Sequence, residues 1–121
     1  MTNSKQKGGR GEREWAAFLR DHCLVAYRGQ QFAGGIDSPD VVCESLPLIH
    51  FEVKRVERLN IYEAMDQARR DCAFKMPTVA HRKNRREWLV TMLATDWIEL
   101  AKTYSDDWIE LAKTYSEQVE G

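Results

Sequence analysis

Hydrophobic positions recur at helical spacing from about Gly11 to Cys23, where Trp15, Ala16, Phe18, Leu19 and Cys23 form one stripe. At 100° per residue, Glu12 projects between Leu19 and Cys23, inside that stripe, whereas Arg13 and Glu14 point away from its centre. The ordinary explanation is a wet carboxylate in the first turn, favoured there by the helix dipole. The alternative is a carboxylate kept near the core for chemistry. Three apolar runs follow, LVAYR at 24–28, DVVCE at 40–44 and LIHFEVKR at 48–55, separated by turns containing glycine and proline; they predict a meander of strands. Asn60, with Glu63 three residues on, caps a predicted helix to about Phe74 whose inner stripe is Ile61, Met65, Ala68 and Cys72. Pro77 closes that segment. Two further strands, TVAHR and EWLVTML, flank the basic turn Lys83-Asn84-Arg85-Arg86. The order αβββαββ predicts a layered α/β domain.

The rest of the chain is a tandem duplication: DWIELAKTYSD at 96–106 is followed by DWIELAKTYSE at 107–117. An 11-residue period is close to three helical turns, so Trp97, Leu100, Ala101, Tyr104, Trp108, Leu111, Ala112 and Tyr115 share a stripe. The expectation is a long amphipathic C-terminal helix, over about Asp96 to Tyr115, that buries Trp97 and Trp108 against the body or against a second subunit. The chain thus divides into a body, 1–94, and a helical extension, 95–121.

Composition changes this picture in two ways. No stretch approaches the roughly 18 apolar residues of a membrane helix, and the polar, glycine-rich start lacks the apolar region of a secretory signal, so a cytoplasmic protein without a membrane partner is expected. Cys23, Cys43 and Cys72 are odd in number and isolated in spacing, which predicts buried reduced thiols rather than disulfides or a zinc site. The net charge of −1 conceals an asymmetry: residues 1–94 carry 16 Lys and Arg against 12 Asp and Glu, and residues 95–121 carry 2 against 7. Cations bound by the body's carboxylates would make its working surface more positive still, so nucleic acid is a candidate partner.

The candidate chemistry lies in LIHFEVKR. Alternation puts Ile49, Phe51 and Val53 on one face and His50, Glu52 and Lys54 on the other. A lone Glu-x-Lys is weak, since about one Asp/Glu-x-Lys is expected by chance in this composition. Asp40, however, opens the adjoining apolar strand, and the interval from Asp40 to Glu52 allows a tight antiparallel pairing. Phosphodiester hydrolysis needs a hard divalent cation, which carboxylate oxygens of Asp40 and Glu52 can hold, and a cationic side chain such as Lys54 to orient the attacking water and steady developing charge. Glu12 would complete the metal shell, directly or through water. Asp37, also within IDSPD, is a rival to Asp40, although Asp40 abuts the strand and follows a proline.

These residues carry a resemblance. KGGRGERE at 7–14 resembles the KGxxxERE opening of the archaeal-type Holliday junction resolvases of the PD-(D/E)xK nuclease superfamily, and Arg28 resembles the arginine that ends their first strand. DVV and FEVKR follow in the same order, and the resemblance covers about residues 7–92. It implies a restriction-endonuclease-like core with a mixed central sheet flanked by helices. It also implies Glu12, Asp40, Glu52 and Lys54 as the catalytic set, Mg²⁺ as cofactor with Mn²⁺ able to substitute, a homodimer, and branched DNA, four-way junctions above all, as substrate. The loop GQQFAGGIDS, with Gln30, Gln31 and Ser38, departs from the family's serine-containing loop, and the duplicated C-terminal helix has no counterpart there.

Outside that set, Gln67 shares a helix face with Glu63 and Arg70 and is either an accessory to the metal site or an ordinary exposed glutamine. Arg10, Arg28, Arg69, Arg70, Arg82, Lys83, Arg85 and Arg86 are candidate phosphate contacts, with solvated surface as the plain alternative. His50 and His81 each lack a second histidine at ligand spacing and read as structural. Two rival functions stand beside the resolvase: a nuclease for other branched or duplex DNA, and an inactive DNA-binding module of the same fold.

Overall fold

The computed structural model describes residues 4–29, 40–103 and 105–120. Helix α1 (Ser4–Asp21) leads into strands β1 (Ala26–Arg28), β2 (Val41–Cys43) and β3 (Ile49–Arg55), then helix α2 (Ile61–Asp71), strands β4 (Met76–Arg82) and β5 (Leu89–Met92), and helices α3 (Ala94–Thr103) and α4 (Ser105–Glu120). The five strands form one sheet in the order β1-β2-β3-β4-β5. All neighbours pair antiparallel except β3 and β4, which run parallel because α2 crosses between them. The order αβββαββ and the mixed sheet flanked by helices are those expected of a restriction-endonuclease-like core.

Two cores occupy opposite faces of the sheet. Trp15, Ala16 and Leu19 of α1 pack against Ala26, Val41, Phe51, Val53 and Ala80. Ala64, Met65 and Ala68 of α2 pack against Val79 on the other side. Neighbouring residues Val79 and Ala80 thereby serve different cores, as strand alternation requires. Strand β3 is covered on both faces, which is why His50 and Glu52 are buried along with Phe51 and Val53.

Several expectations are corrected. Helix α1 starts at Ser4, well before Gly11, through a segment whose glycines disfavour helix. Close packing accounts for it: a Cβ on Gly11 would lie 3.0 Å from Arg55 Cβ, so the missing side chain lets α1 settle onto β3. The helix ends at Asp21, and Cys23 is exposed with a φ of 67°, a left-handed residue just past the helix end rather than a buried thiol; Cys43 and Cys72 are buried as expected. Helix α2 begins at the Asn60 cap, whose side chain accepts from the Glu63 N–H at 3.1 Å, but stops at Asp71. Pro77 does not terminate it; it lies inside β4 opposite His50, in a parallel ladder where one strand's N–H groups alternate in direction.

The extension is helical over Ala94–Thr103 and Ser105–Glu120, but α3 buries no residue and Trp97 is 59% exposed, so it is not covered by its own body. Ile109, Leu111 and Tyr115 are exposed too. Tyr104 and the Trp108 side chain, like Gln30, Gln31, Asp37 and Ser38, lie outside the described residues. Among the described residues no helix is long and apolar enough to cross a membrane.

Candidate functional site

Asp40 sits at the step into β2, where its N–H donates to Phe51 O at 3.0 Å and its Oδ2 accepts from the Val53 N–H at 2.8 Å. With Val41 paired to Phe51, this is the tight antiparallel pairing that the Asp40–Glu52 interval allows, and it holds the aspartate against the strand that carries Glu52. The Asp40 carboxyl is pushed up to about 7, first by burial and then by the charge of Glu52. The Val53 N–H works against the shift, while the Glu12 charge and a hydrogen bond with Glu52 reinforce it. Three carboxylates therefore share one electrostatic neighbourhood.

Glu12 is 7% exposed, and because α1 begins at Ser4 it lies well beyond the first turn; the helix-dipole explanation for its position does not apply. Arg28, the last residue of β1, donates to Glu12 Oε2 from Nε at 2.9 Å, with its terminal nitrogen also at 2.9 Å. Glu52 is 2% exposed and has His50 Nε2 at 3.2 Å from its Oε1. Lys54, one alternation further along β3, donates from Nζ to Gln67 Oε1 of α2 at 2.9 Å. The parallel crossover is what brings α2, and with it Gln67, over this end of β3.

No family model matches the chain, and no curated protein matches it. Among solved structures the chain is similar to that of Archaeoglobus fulgidus Hjc, a Holliday junction resolvase from an archaeal hyperthermophile, at 23% identity over 71% of this chain and 72% of that one, with a TM-score of 0.49.

The basic residues divide into groups. Arg82 ends β4 directly beside Arg55 in the parallel ladder, next to the Lys54–His81 pair, so the turn carrying Lys83, Arg85 and Arg86 leaves the sheet from the end that holds Lys54. Arg55 reinforces this link by donating to Asn84 Oδ1 at 2.7 Å and to Glu14 Oε2 at 2.6 Å. Arg82 lies over the Trp88 ring at 5.7 Å. Arg58, Arg82, Lys83 and Arg86 line a groove of about 480 Å³ together with Leu59 and Leu89. Arg10 pairs with Glu14 at 3.2 Å, and Arg69 and Arg70 stand exposed in the last turn of α2, apart from the β4–β5 turn.

The site was only partly visible in residue types. Pattern reading passed over Arg55, the strand residue that ties the basic turn to α1, although it directly follows Lys54. The contact of His50 with Glu52 was signalled only by its place two residues before Glu52 on the same strand face. His81 has its Nε2 2.9 Å from Thr91 Oγ1 on the neighbouring strand.

A divalent cation can be tested against this donor set. The oxygens of Asp40, Glu52 and Glu12 are hard donors, and the Asp40 pKa, raised first by burial and then by the charge of Glu52, is one that a bound cation would lower. Among the described residues, however, no three His, Cys, Asp or Glu side chains are already gathered about one point. The carboxylates instead hold other partners, Arg28 on Glu12, the Val53 N–H on Asp40 and His50 on Glu52. The chemistry of the donors fits; the side chains are engaged with one another and with their neighbours.

Proposed function

We propose that the protein is a metal-dependent endonuclease that hydrolyses phosphodiester bonds in branched DNA, with four-way junctions as its substrate and a two-fold homodimer as its active form. The observation that carries this reading is the convergence of Asp40 and Glu52, with Glu12 in reach of their field, on the strand face that presents Lys54. Four chemically matched groups come from α1, the β2 edge and β3, and a merely solvated strand face has no reason to bury Glu52.

Asp40, Glu52 and Glu12 would hold Mg²⁺, or Mn²⁺ in its place, and the ion would supply Lewis-acid polarisation of the phosphoryl group and a water acidified for attack. Lys54 uses one N–H on Gln67, which fixes the ammonium while leaving its other hydrogens for a non-bridging phosphate oxygen or for the attacking water. Overall, the water oxygen bonds to phosphorus and one ester P–O bond breaks. Lys83, Arg85 and Arg86, leaving the sheet beside Lys54, would grip the backbone on one side of the cut without reading bases. One chain carries one such constellation, and two symmetric strands of a junction need two, hence the dimer.

Cleavage of a mobile four-way junction, a flap and a matched duplex, each with Mg²⁺ and with excess EDTA, tests the reading. The expected result is metal-dependent cutting with the junction preferred. Undiminished cutting in EDTA would remove the metal; equal cutting of the duplex by a monomer would leave a nuclease of another specificity. Binding to the junction without cleavage under any divalent ion would favour the inactive DNA-binding module.

A further inference from the structure

We propose that His50 is a positioning residue that fixes the Glu52 carboxylate for the cation, an inference that rests on the nuclease reading above and extends it. His50 is wholly buried. Its Nε2 lies 3.2 Å from Glu52 Oε1, and its Nδ1 meets no hydrogen-bond partner among the described residues.

A carboxylate oxygen accepts, so the 3.2 Å contact is a hydrogen bond with the ring hydrogen on Nε2. Moving it to Nδ1 would leave a buried N–H without an acceptor and two acceptors facing each other; a bare Nδ1 acceptor is the lesser loss. An imidazole so placed is a poor choice for filling space, because a leucine or methionine at this position would bury no unsatisfied nitrogen. What the histidine adds is the single bond to Glu52. That bond restricts rotation of the carboxylate beside Asp40, with which Glu52 also shares a hydrogen bond. Strand geometry makes the arrangement automatic: residues 50 and 52 lie on one face of β3, so the orienting group and the oriented group ride on the same rigid element.

Hydrogen bonds to ligating carboxylates commonly alter metal affinity by about 10–100-fold. The test compares Mn²⁺ binding, followed by electron paramagnetic resonance, in the wild-type protein, in His50→Gln, which retains an N–H donor at similar reach, and in His50→Leu, which fills the space and donates nothing. Thermal melts confirm folding. The expected result is a loss of about tenfold or more in His50→Leu and near-wild-type affinity in His50→Gln. Wild-type affinity in His50→Leu, or an equal loss in both variants, would overturn the proposal. Failure of the wild-type protein itself to bind Mn²⁺ would instead remove the metal reading on which it stands. Should His50→Leu not fold, long-range ¹H–¹⁵N correlation on the wild-type ring decides the matter: an Nε2–H tautomer with bare Nδ1 supports the proposal, and the opposite tautomer overturns it.

Discussion

Lys54 Nζ and Gln67 Oε1 meet at 2.9 Å across the gap between β3 and α2, so the orientation of the ammonium is set by a helix that has no other polar tie to that strand face among the bonds described here. Lys54→Ala is expected to lower single-turnover cleavage by about 10²–10⁴-fold with binding little changed, the range of a lost proton-handling or charge-stabilising group. Gln67→Ala keeps the charge and loses only its aim, so a smaller fall, about tenfold, is expected. If Gln67→Ala cuts as fast as the wild-type protein, the contact is incidental.

Asp40 gives a pH signature that needs no DNA. Its carboxyl is held at about 7 in the folded protein against an ordinary 3.8, so between those values the native state binds a proton that the unfolded chain has released. The stabilising contribution is therefore fully present below 3.8 and is lost as pH rises through about 7. Melting temperature of the metal-free protein should fall across this window and the fall should be absent in Asp40→Asn. Because Mg²⁺ competes with that proton, it should raise the melting temperature more at about pH 8 than at about pH 6.

The IDSPD segment offers two aspartates, Asp37 and Asp40. Asp40→Asn should abolish measurable cleavage while Asp37→Asn cuts normally, because the described hydrogen bonds fix Asp40 beside Glu52. The reverse pattern in a nicking assay would move the ligand to Asp37.

Along the β4–β5 turn, Lys83→Ala and Arg86→Ala should each weaken binding to junction and duplex alike. Each lost phosphate contact should reduce the slope of log affinity against log salt by about 0.9. Fluorescence anisotropy across a potassium chloride series measures both effects. An unchanged slope would identify these side chains as ordinary solvated charges.

Gly11→Ala sets two magnitudes against each other. Helix propensity favours alanine by about 1 kcal/mol, but the new Cβ would come 3.0 Å from Arg55 Cβ, an atom anchored to the central strand and unable to swing aside. Overpacking of about 1–3 kcal/mol should win, so urea unfolding should report net destabilisation. A more stable variant would mean that α1 can lift from β3 without loss.

These particulars show where pattern reading succeeds. Helix α2 and strand β3 were legible because their signals are local: the Asn60–Glu63 cap and strict alternation through Phe51 and Val53. The first turns of α1 were not, since nothing near Gly9 and Gly11 favours helix; the reason for Gly11 lies on Arg55, far along the chain. Pro77 misled for a related reason, because a proline reads as a terminator until its partner strand is known. In the extension, the amphipathic stripe was read correctly as helix, but amphipathicity does not say what covers it, and Trp97 stays exposed in the single chain. Of the proposed catalytic set, Glu12 is buried as its place in the apolar stripe implied, whereas the burial of Glu52 and its contact with His50 required knowing that both faces of β3 are covered.

Every strand in the sheet pairs with the strand next to it in the chain, so a growing polypeptide could add each one to an existing edge, with α2 crossing between β3 and β4. Helix α1 is the exception. It precedes every strand, yet its seat includes β3, and the Glu14–Arg55 bond that fastens it spans 41 residues. Glu12 rides on that helix, so its carboxylate joins Asp40 and Glu52 only through the longer closure. A chain synthesised only as far as β2 therefore lacks the β3 part of the seat of α1 and the strand that carries Glu52 and Lys54; under the proposed nuclease activity, the capacity to cut DNA would arrive only when α1 docks on β3.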